Sequence, residues 1–191
     1  MHLHITGDDA ADTLLSSDPF ALLLGMMLDQ QIPMEKAFSG PRLLATRLGV
    51  DRLEPASVAA VDRERFAQLM AGPPAVHRYH TSMAGRVQAL AAEVVARYDG
   101  DAAGIWTGAR DGQQLLARLT ALPGFGDQKA RIFVALLGKQ AGVQPSGWQA
   151  AAGDYALPGH RSVADVVDRD SLLKVRDTKK AAKAAARAGT S

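Results

Sequence analysis

The stretch LPGFGDQKAR, residues 122–131, carries the strongest turn signal in this chain of 191 residues. Pro123 fixes its own φ, while Gly124 and Gly126 permit positive φ and the close approach of another backbone. A helix is predicted to begin near Asp127, so that exposed backbone N–H groups collect at its start. Such a helix N-terminus attracts anions, and a nucleic-acid phosphate is a common one. An ordinary turn between two helices is the alternative interpretation.

Helical periodicity dominates the rest of the chain, and no stretch shows the sustained alternation of a strand. Asp18-Pro19 is a helix start signal, and the segment that follows, Phe20 to Gln31, is apolar on nearly all sides, as expected of a central buried helix. We therefore predict an all-α fold. Further helices are predicted over Ala10 to Ser16, Pro33 to about Gly49, Asp62 to Met70, Met83 to Tyr98 with Ser82 as cap, Gly112 to Leu119, Asp127 to Gln140, and briefly around Trp148.

Composition excludes several kinds of site. The chain has no cysteine, which rules out disulfides, thiolate nucleophiles and cysteine-bound iron–sulfur clusters. The net charge of +2 and the pI near 9.0 allow polyanion binding without requiring it. Neither an apolar run of membrane-spanning length nor a signal-peptide pattern is evident. A cytoplasmic protein that does not bind a membrane is the resulting expectation.

Basic residues crowd the C-terminal end of the chain. Residues 179–191 are rich in alanine and lysine and offer little apolar surface to bury, so we expect a flexible basic tail there. Residues 1–178 are expected to form one two-lobed domain. The basic residues of the C-terminal end are Lys174, Arg176, Lys179, Lys180, Lys183 and Arg187.

A second motif lies about ninety residues before the LPGFG hairpin. Residues 28–37, LDQQIPMEKA, place Gln30 and Gln31 near the end of the predicted central helix. Together with the two helices that flank the hairpin, this motif resembles the helix-hairpin-helix (HhH-GPD) superfamily of base-excision DNA glycosylases, which includes endonuclease III and 3-methyladenine DNA glycosylase II. The resemblance covers roughly Asp18 to Val143, and its wider interpretation extends it over the entire chain.

The resemblance implies a two-lobed, all-α, monomeric DNA repair protein that is associated with the nucleoid. It would hydrolyse the N-glycosidic bond of a damaged base in double-stranded DNA, with Gln31 near the extruded base. The main-chain carbonyls of Leu122 and Gly124 would hold a monovalent cation, and no other cofactor is expected. The predicted DNA contacts are Leu122, Pro123, Gly124, Phe125, Gly126, Lys129, Gln30, Gln31 and Arg78.

The catalytic groups of the resembled family match this sequence less well. The family places an aspartate soon after the second hairpin helix, but residues 144–146 are Gln, Pro and Ser. We predict Asp165 as the replacement, with Asp154 second, although either acid could merely cap a helix. Bifunctional members also carry a nucleophilic lysine two residues after the second hairpin glycine. Here that position is Gln128, and Lys129, one residue later, is a candidate nucleophile or a partner of phosphate or solvent.

Other interpretations remain open at this stage. Asp29, beside the two glutamines, is a further candidate acid, but an ion pair with Lys36 is the favoured role. Arg78 lies in the aromatic and basic loop of residues 74–80, which could contact DNA or simply pack. The protein could also bind lesions without cutting, or it could be a helical protein-interaction module whose tail contacts acidic partners.

Overall fold

The computed structural model of the protein describes residues 2–188, apart from the side chains of residues 183 and 186–188. Within that range the fold is built from helices and contains no strand, which confirms the predicted all-α class. The α-helices are α1 (Asp9–Ser17), α2 (Pro19–Leu28), α3 (Met34–Leu48), α4 (Pro55–Ala60), α5 (Arg63–Ala71), α6 (His80–Tyr98), α7 (Gly104–Thr107), α8 (Gly112–Thr120), α9 (Asp127–Gln140), α10 (Trp148–Ala152) and α11 (Arg169–Ala188). Short 3-10 helices lie at Gly153–Ala156 and Val163–Asp165.

Helix α2 lies at the centre of the fold. Its residues from Phe20 to Leu28 are all buried, and it packs against α1, α3, α6 and α9. The predicted cap is confirmed, since one carboxylate oxygen of Asp18 accepts hydrogen bonds from the N–H groups of Phe20 and Ala21. The other oxygen accepts the N–H of Leu53 at 2.8 Å. One buried side chain therefore caps α2 and also fastens the loop before α4.

The helices pack in two groups. In the first, α1 and α3 lie against α2, and α4 and α5 lie against α6. In the second, α8, α9 and α10 pack against one another, and α9 also contacts both 3-10 helices. The two groups meet where α2 contacts α9.

Buried aromatic rings hold the second group of helices together. Trp148 lies directly on α9, because a Cβ atom at Gly138 would be only 2.4 Å from its ring. Trp106 contacts Phe133 edge to face, and Phe133 makes the same kind of contact with Phe125 in the hairpin. Both tryptophans are buried, so their rings serve the packing of this group.

Several predicted helix boundaries are wrong. Helix α2 ends at Leu28 instead of Gln31, because the backbone leaves the helical range at Asp29, with a ψ of 73°, and Gln31 adopts a φ of 58°. Helix α6 begins at His80, and the Ser82 hydroxyl donates to the Tyr79 carbonyl inside the first turn instead of capping the helix. Helices α4 and α7 were not predicted, because segments of six and four residues are too short to show helical periodicity.

The C-terminal helix α11 crosses the predicted boundary at residue 178 and continues to Ala188. The predicted flexible tail, residues 179–191, is thus described as helix up to Ala188, and residues 189–191 lie outside the described range. Leu172 and Val175 bury the first part of α11, whereas the described side chains beyond Val175 are exposed. Whether this end is flexible stays a prediction.

Within residues 2–188, no single helix has both the length and the apolar character of a membrane span. Helices α1 and α2 reach that length and composition only as a pair, and they are bent by 116° at their junction.

The buried cap at Asp18 predicts a large stability cost on its removal. We expect Asp18→Ala to lower the free energy of unfolding by about 3 kcal/mol, because three N–H groups lose their acceptor and two of the bonds cap α2. Asp62→Ala is the matched control, since Asp62 caps α5 at an exposed position and its loss should cost about 1 kcal/mol. Urea unfolding of both variants measures the difference, and equal losses would contradict this account.

Candidate functional site

The hairpin of residues 122–126 is a tight turn anchored on its inner side. The N–H of Phe125 donates to the Leu122 carbonyl at 3.1 Å, and Gly124 has a φ of 82°. With proline second and a positive-φ glycine third, this is a type II turn. The side chains of Leu122 and Phe125 are buried, whereas Gly124 and Gly126 are exposed. The surface that the hairpin offers is therefore largely main chain.

The hairpin lies against the C-terminal end of α2. A Cβ atom at Gly124 would be 2.8 Å from Cγ of Met27, so the glycine is what allows this close approach. Lys129, in the first turn of α9, donates to the Met27 carbonyl at 2.6 Å. The last carbonyls of a helix carry partial negative charge and favour an ammonium group. The structure thus brings together the two motifs that the sequence analysis singled out.

Lys129 has an unusual environment for a lysine. Burial lowers its pKa to about 8, the charge of Asp29 opposes that shift, and Arg86 adds to it. The position where the resembled family has its lysine is Gln128, whose amide donates to the Tyr155 hydroxyl at 2.9 Å. Adjacent helix positions differ by about 100° in direction, which is why Lys129 faces α2 and Gln128 does not.

Gln30 and Gln31 form an exposed turn that three side chains support. The His77 ring lies with Nε2 2.9 Å from the Gln30 carbonyl, and Arg86 donates to the Gln30 side-chain oxygen at 3.2 Å. The Tyr79 hydroxyl donates to Oε1 of Gln31 at 3.2 Å. The positive φ of Gln31 costs on the order of 1 kcal/mol and is held by these surroundings.

His77 is the buried anchor of this turn. The backbone N–H of Tyr79 donates to Nδ1 at 3.0 Å, so Nδ1 carries no proton and Nε2–H donates to the Gln30 carbonyl. Burial lowers the pKa of His77 below its ordinary value, although the hydrogen bond to Gln30 acts in the opposite direction. The positive charges of Lys36 and Lys129 lower this pKa further. The ring is therefore neutral in the folded protein at neutral pH.

Helix α11 reaches the residues on either side of this turn, Asp29 and Glu35, through two ion pairs. Lys179 Nζ lies 3.7 Å from the carboxylate of Asp29, and Arg176 lies 3.1 Å from that of Glu35. A cleft of about 440 Å³ separates α11 from the turn. The predicted pair of Asp29 with Lys36 is not what the structure has, because Lys179 and Lys129 supply the positive charge around Asp29 instead.

Arg78 lies at the edge of the same surface. Its guanidinium is exposed and lies 4.8 Å from the ring centre of Tyr79, the residue that holds Gln31. Arg78 is thus linked through Tyr79 to the Gln30–Gln31 turn, and whether these residues contact DNA stays a prediction. Among the predicted DNA contacts, Phe125 has a buried ring, and only its main chain reaches the surface.

The structure does not bring Asp165 to this surface. One of its carboxylate oxygens lies 2.6 Å from Lys139 Nζ, and the other accepts the N–H groups of Arg161 and Ser162. Its side chain is only 5% exposed. Lys139 follows Lys129 by ten positions, or about 15 Å along α9. The role evident for Asp165 is therefore the capping alternative, because its contacts close a capping box and fasten the segment before α11.

Asp154 also lies in a segment packed against α9, and its carboxylate makes no hydrogen bond or ion pair among the described residues. It lies in the 3-10 helix Gly153–Ala156 and is exposed. The next residue, Tyr155, accepts the hydrogen bond from Gln128 in the first turn of α9. Asp154 is thus beside α9 without facing the end of α2.

Of the side chains that hold this site, only Arg86 lies in a segment that no sequence pattern marked. His77 and Lys179 lie in the loop of residues 74–80 and in the basic C-terminal end, but their contacts with Gln30 and Asp29 join positions distant in the chain, and no local pattern marks such contacts. No group of three or more acidic or histidine side chains placed for a metal ion occurs in the part of the chain that the structure describes.

Comparison of the chain with protein-family models, with curated proteins and with solved structures gives no match.

The close contact at Gly124 predicts that the two hairpin glycines, Gly124 and Gly126, differ in how well they tolerate substitution by alanine. We expect Gly124→Ala to lower the free energy of unfolding by about 2 kcal/mol, because the new Cβ meets Met27 and a positive φ disfavours alanine. Gly126→Ala is the matched control, with a φ of −97° and open space around its Cβ, and should change stability by less than about 0.5 kcal/mol. Thermal and urea unfolding measure both, and similar losses would contradict the packing described.

The neutral, buried His77 predicts a pH-dependent stability. The unfolded chain binds a proton at His77 near pH 6.5, while the folded state resists it, so the stabilisation that His77 provides is complete above about pH 6.5 and declines as the pH falls. We expect the difference in unfolding free energy between wild type and His77→Gln to narrow between about pH 7 and pH 5. His4→Gln, at an exposed position, is the control. A difference that is constant with pH would show that His77 does not titrate this way.

Proposed function

We propose that this protein binds double-stranded DNA with the surface formed by the hairpin and the Gln30–Gln31 turn, and removes a damaged base by hydrolysing its N-glycosidic bond. The observation that carries the proposal is the junction between the hairpin and the C-terminal end of α2. The hairpin lies on the end of α2 with Lys129 hydrogen-bonded to the Met27 carbonyl, so a phosphate-binding element and a pair of exposed amides share one surface.

The start of α9 supports phosphate binding. No side chain caps this helix, so the N–H groups of its first turn are open to an external acceptor. Asp127 in that turn is paired with Arg131 at 2.7 Å, which reduces its repulsion of an anion. A monovalent cation at the Leu122 and Gly124 carbonyls belongs to the same proposal. The Leu122 carbonyl already accepts one hydrogen bond and retains a second lone pair.

Positive charge around the turn supports the same partner. Arg78 and Arg86 lie beside Gln31 and Gln30, and Lys36 is near enough to lower the pKa of His77. Side chains of this kind contribute the sequence-independent, salt-dependent part of DNA affinity. Amide side chains at the centre of such a surface suit a base that has left the duplex, because they can both donate and accept hydrogen bonds.

Hydrolysis without strand cleavage is favoured over lysine chemistry. The Lys129 ammonium is hydrogen-bonded to the Met27 carbonyl and faces α2, and it lies one residue past the position of the family's lysine, a difference of about 100° around the helix. A nucleophilic amine would have to leave that hydrogen bond and lose its proton.

A second candidate function is lesion binding without excision. It is favoured by the contacts of Asp165, since a carboxylate held by Lys139 and two backbone N–H groups is not available to a substrate. Both candidates require DNA binding and differ only in whether the glycosidic bond breaks.

Salt dependence and excision test the proposal together. We expect Arg86→Ala and Arg78→Ala each to reduce the slope of log affinity against log salt by about 0.9, as for one lost phosphate contact. Arg97→Ala is the control, because Arg97 pairs with Glu93 near the other end of α6. Wild-type protein is then incubated in excess with duplexes that carry alkylated, deaminated or oxidised bases.

Strand breaks that appear only after alkali would establish base excision without lyase activity. Salt-dependent binding with no strand breaks on any of the duplexes would favour the lesion-binding candidate. DNA binding by this surface would be overturned if the affinity did not change with salt and was the same in wild type, Arg86→Ala and Arg78→Ala.

A further inference from the structure

Asp29 is a carboxylate in an unfavourable place. It follows α2 directly as its C-terminal cap, where the helix carbonyls concentrate negative charge and an acid is destabilising by roughly 0.3–1 kcal/mol. Its side chain is only 14% exposed. A residue that breaks a local rule without a structural benefit is a candidate for function.

The carboxylate of Asp29 also differs from the other buried acids in having open acceptor positions. Asp18 and Asp165 use their oxygens to hold backbone N–H groups. Among the described residues, no donor lies within hydrogen-bond distance of the Asp29 carboxylate, and its ion pair with Lys179 spans 3.7 Å. The Lys179 side chain is 41% exposed, so solvent screens the pair and a stronger anion can replace it.

Asp29 lies where the proposed DNA surface needs an acid. Gln30 and Gln31 follow it directly, and Met27, two residues before it, accepts the hydrogen bond from Lys129. The charge of Asp29 reaches Lys129, whose pKa it raises against the effect of burial. Carboxylate, ammonium and amides are therefore grouped between the hairpin and the turn.

On the premise of the proposed function, we propose that Asp29 is the catalytic carboxylate of this protein and replaces the acid that the chain lacks after α9. It accepts a proton from water while the water oxygen bonds to C1′ of the deoxyribose. The bond from C1′ to the base nitrogen breaks, and its electron pair leaves with the base. The proton on Asp29 then passes to the departing base or to solvent, so that water is consumed and the carboxylate is restored.

Lys129 and Lys179 are the two positive charges beside Asp29 in this scheme. Lys129 is fixed by the Met27 carbonyl and stays in place when DNA binds. Lys179 is the exchangeable partner, because a DNA phosphate competes for its ammonium group. Binding of DNA would thereby free the carboxylate at the moment when the substrate arrives.

The test compares Asp29→Asn with Asp99→Asn under single-turnover conditions, on the duplex that the wild type cleaves best. Asp99 is the matched control because it is also an aspartate at a helix C-cap, but it is exposed at the far end of α6. We expect Asp29→Asn to reduce the excision rate by at least about 100-fold, as for loss of a general base, with duplex affinity unchanged or tighter. Asp99→Asn should match the wild type.

Two further measurements separate catalysis from folding. Thermal unfolding shows whether Asp29→Asn is folded, and Asp29→Glu, which keeps the charge, should recover part of the rate. The dependence of the excision rate on pH should also differ between wild type and Asp29→Asn, because only the wild type has a general base at this position.

The outcomes distinguish this assignment from the proposed function. If wild type excises a base and folded Asp29→Asn excises it equally fast, the assignment of Asp29 is wrong and base excision stands. Loss of excision in folded Asp165→Asn, with Asp29→Asn active, would assign the reaction to Asp165. If wild type excises no base, the glycosylase proposal fails and the role of Asp29 fails with it.

Discussion

The contact between the hairpin and the end of α2 is the constraint on which the arrangement of the site depends. Gly124 has no side chain, so the turn can approach Met27 closely, and Lys129 then reaches the Met27 carbonyl. This contact lies where the two groups of helices meet. The aromatic contacts from Phe125 to Phe133 hold the other side of the hairpin. A shift of the hairpin would therefore separate the Gln30–Gln31 turn from the start of α9.

Electrostatics at this junction follows from the direction of α2. The helix points its negative end at the surface, which attracts Lys129 and accounts for the tolerance of a buried ammonium group. The same end of α2 makes the negative charge of Asp29 destabilising, and the positive charges of Lys129 and Lys179 offset it. The balance of charges here is thus local and does not follow from a net charge of +2 for the whole chain.

Histidine and glutamine shape the exposed side of the junction. His77 is buried and neutral, and it holds the Gln30 carbonyl on one nitrogen and the Tyr79 N–H on the other. Gln31 keeps a backbone conformation that is uncommon for its residue type. These hydrogen bonds hold the turn without regular secondary structure.

Local signals in the sequence determined the helical class, the buried character of α2, the Asp18 cap and the turn at Gly124, because each depends on periodicity or on the φ of a single residue. The end of α2 at Leu28 differs from the predicted one, since the backbone leaves the helix at Asp29 and contacts with His77 and Tyr79 hold the Gln30–Gln31 turn. Only the tertiary structure decided that Lys179 approaches Asp29 and that Asp165 pairs with Lys139 at the far end of α9. Such pairs join positions distant in the chain, and the packing of helices, which no local pattern encodes, sets their distance.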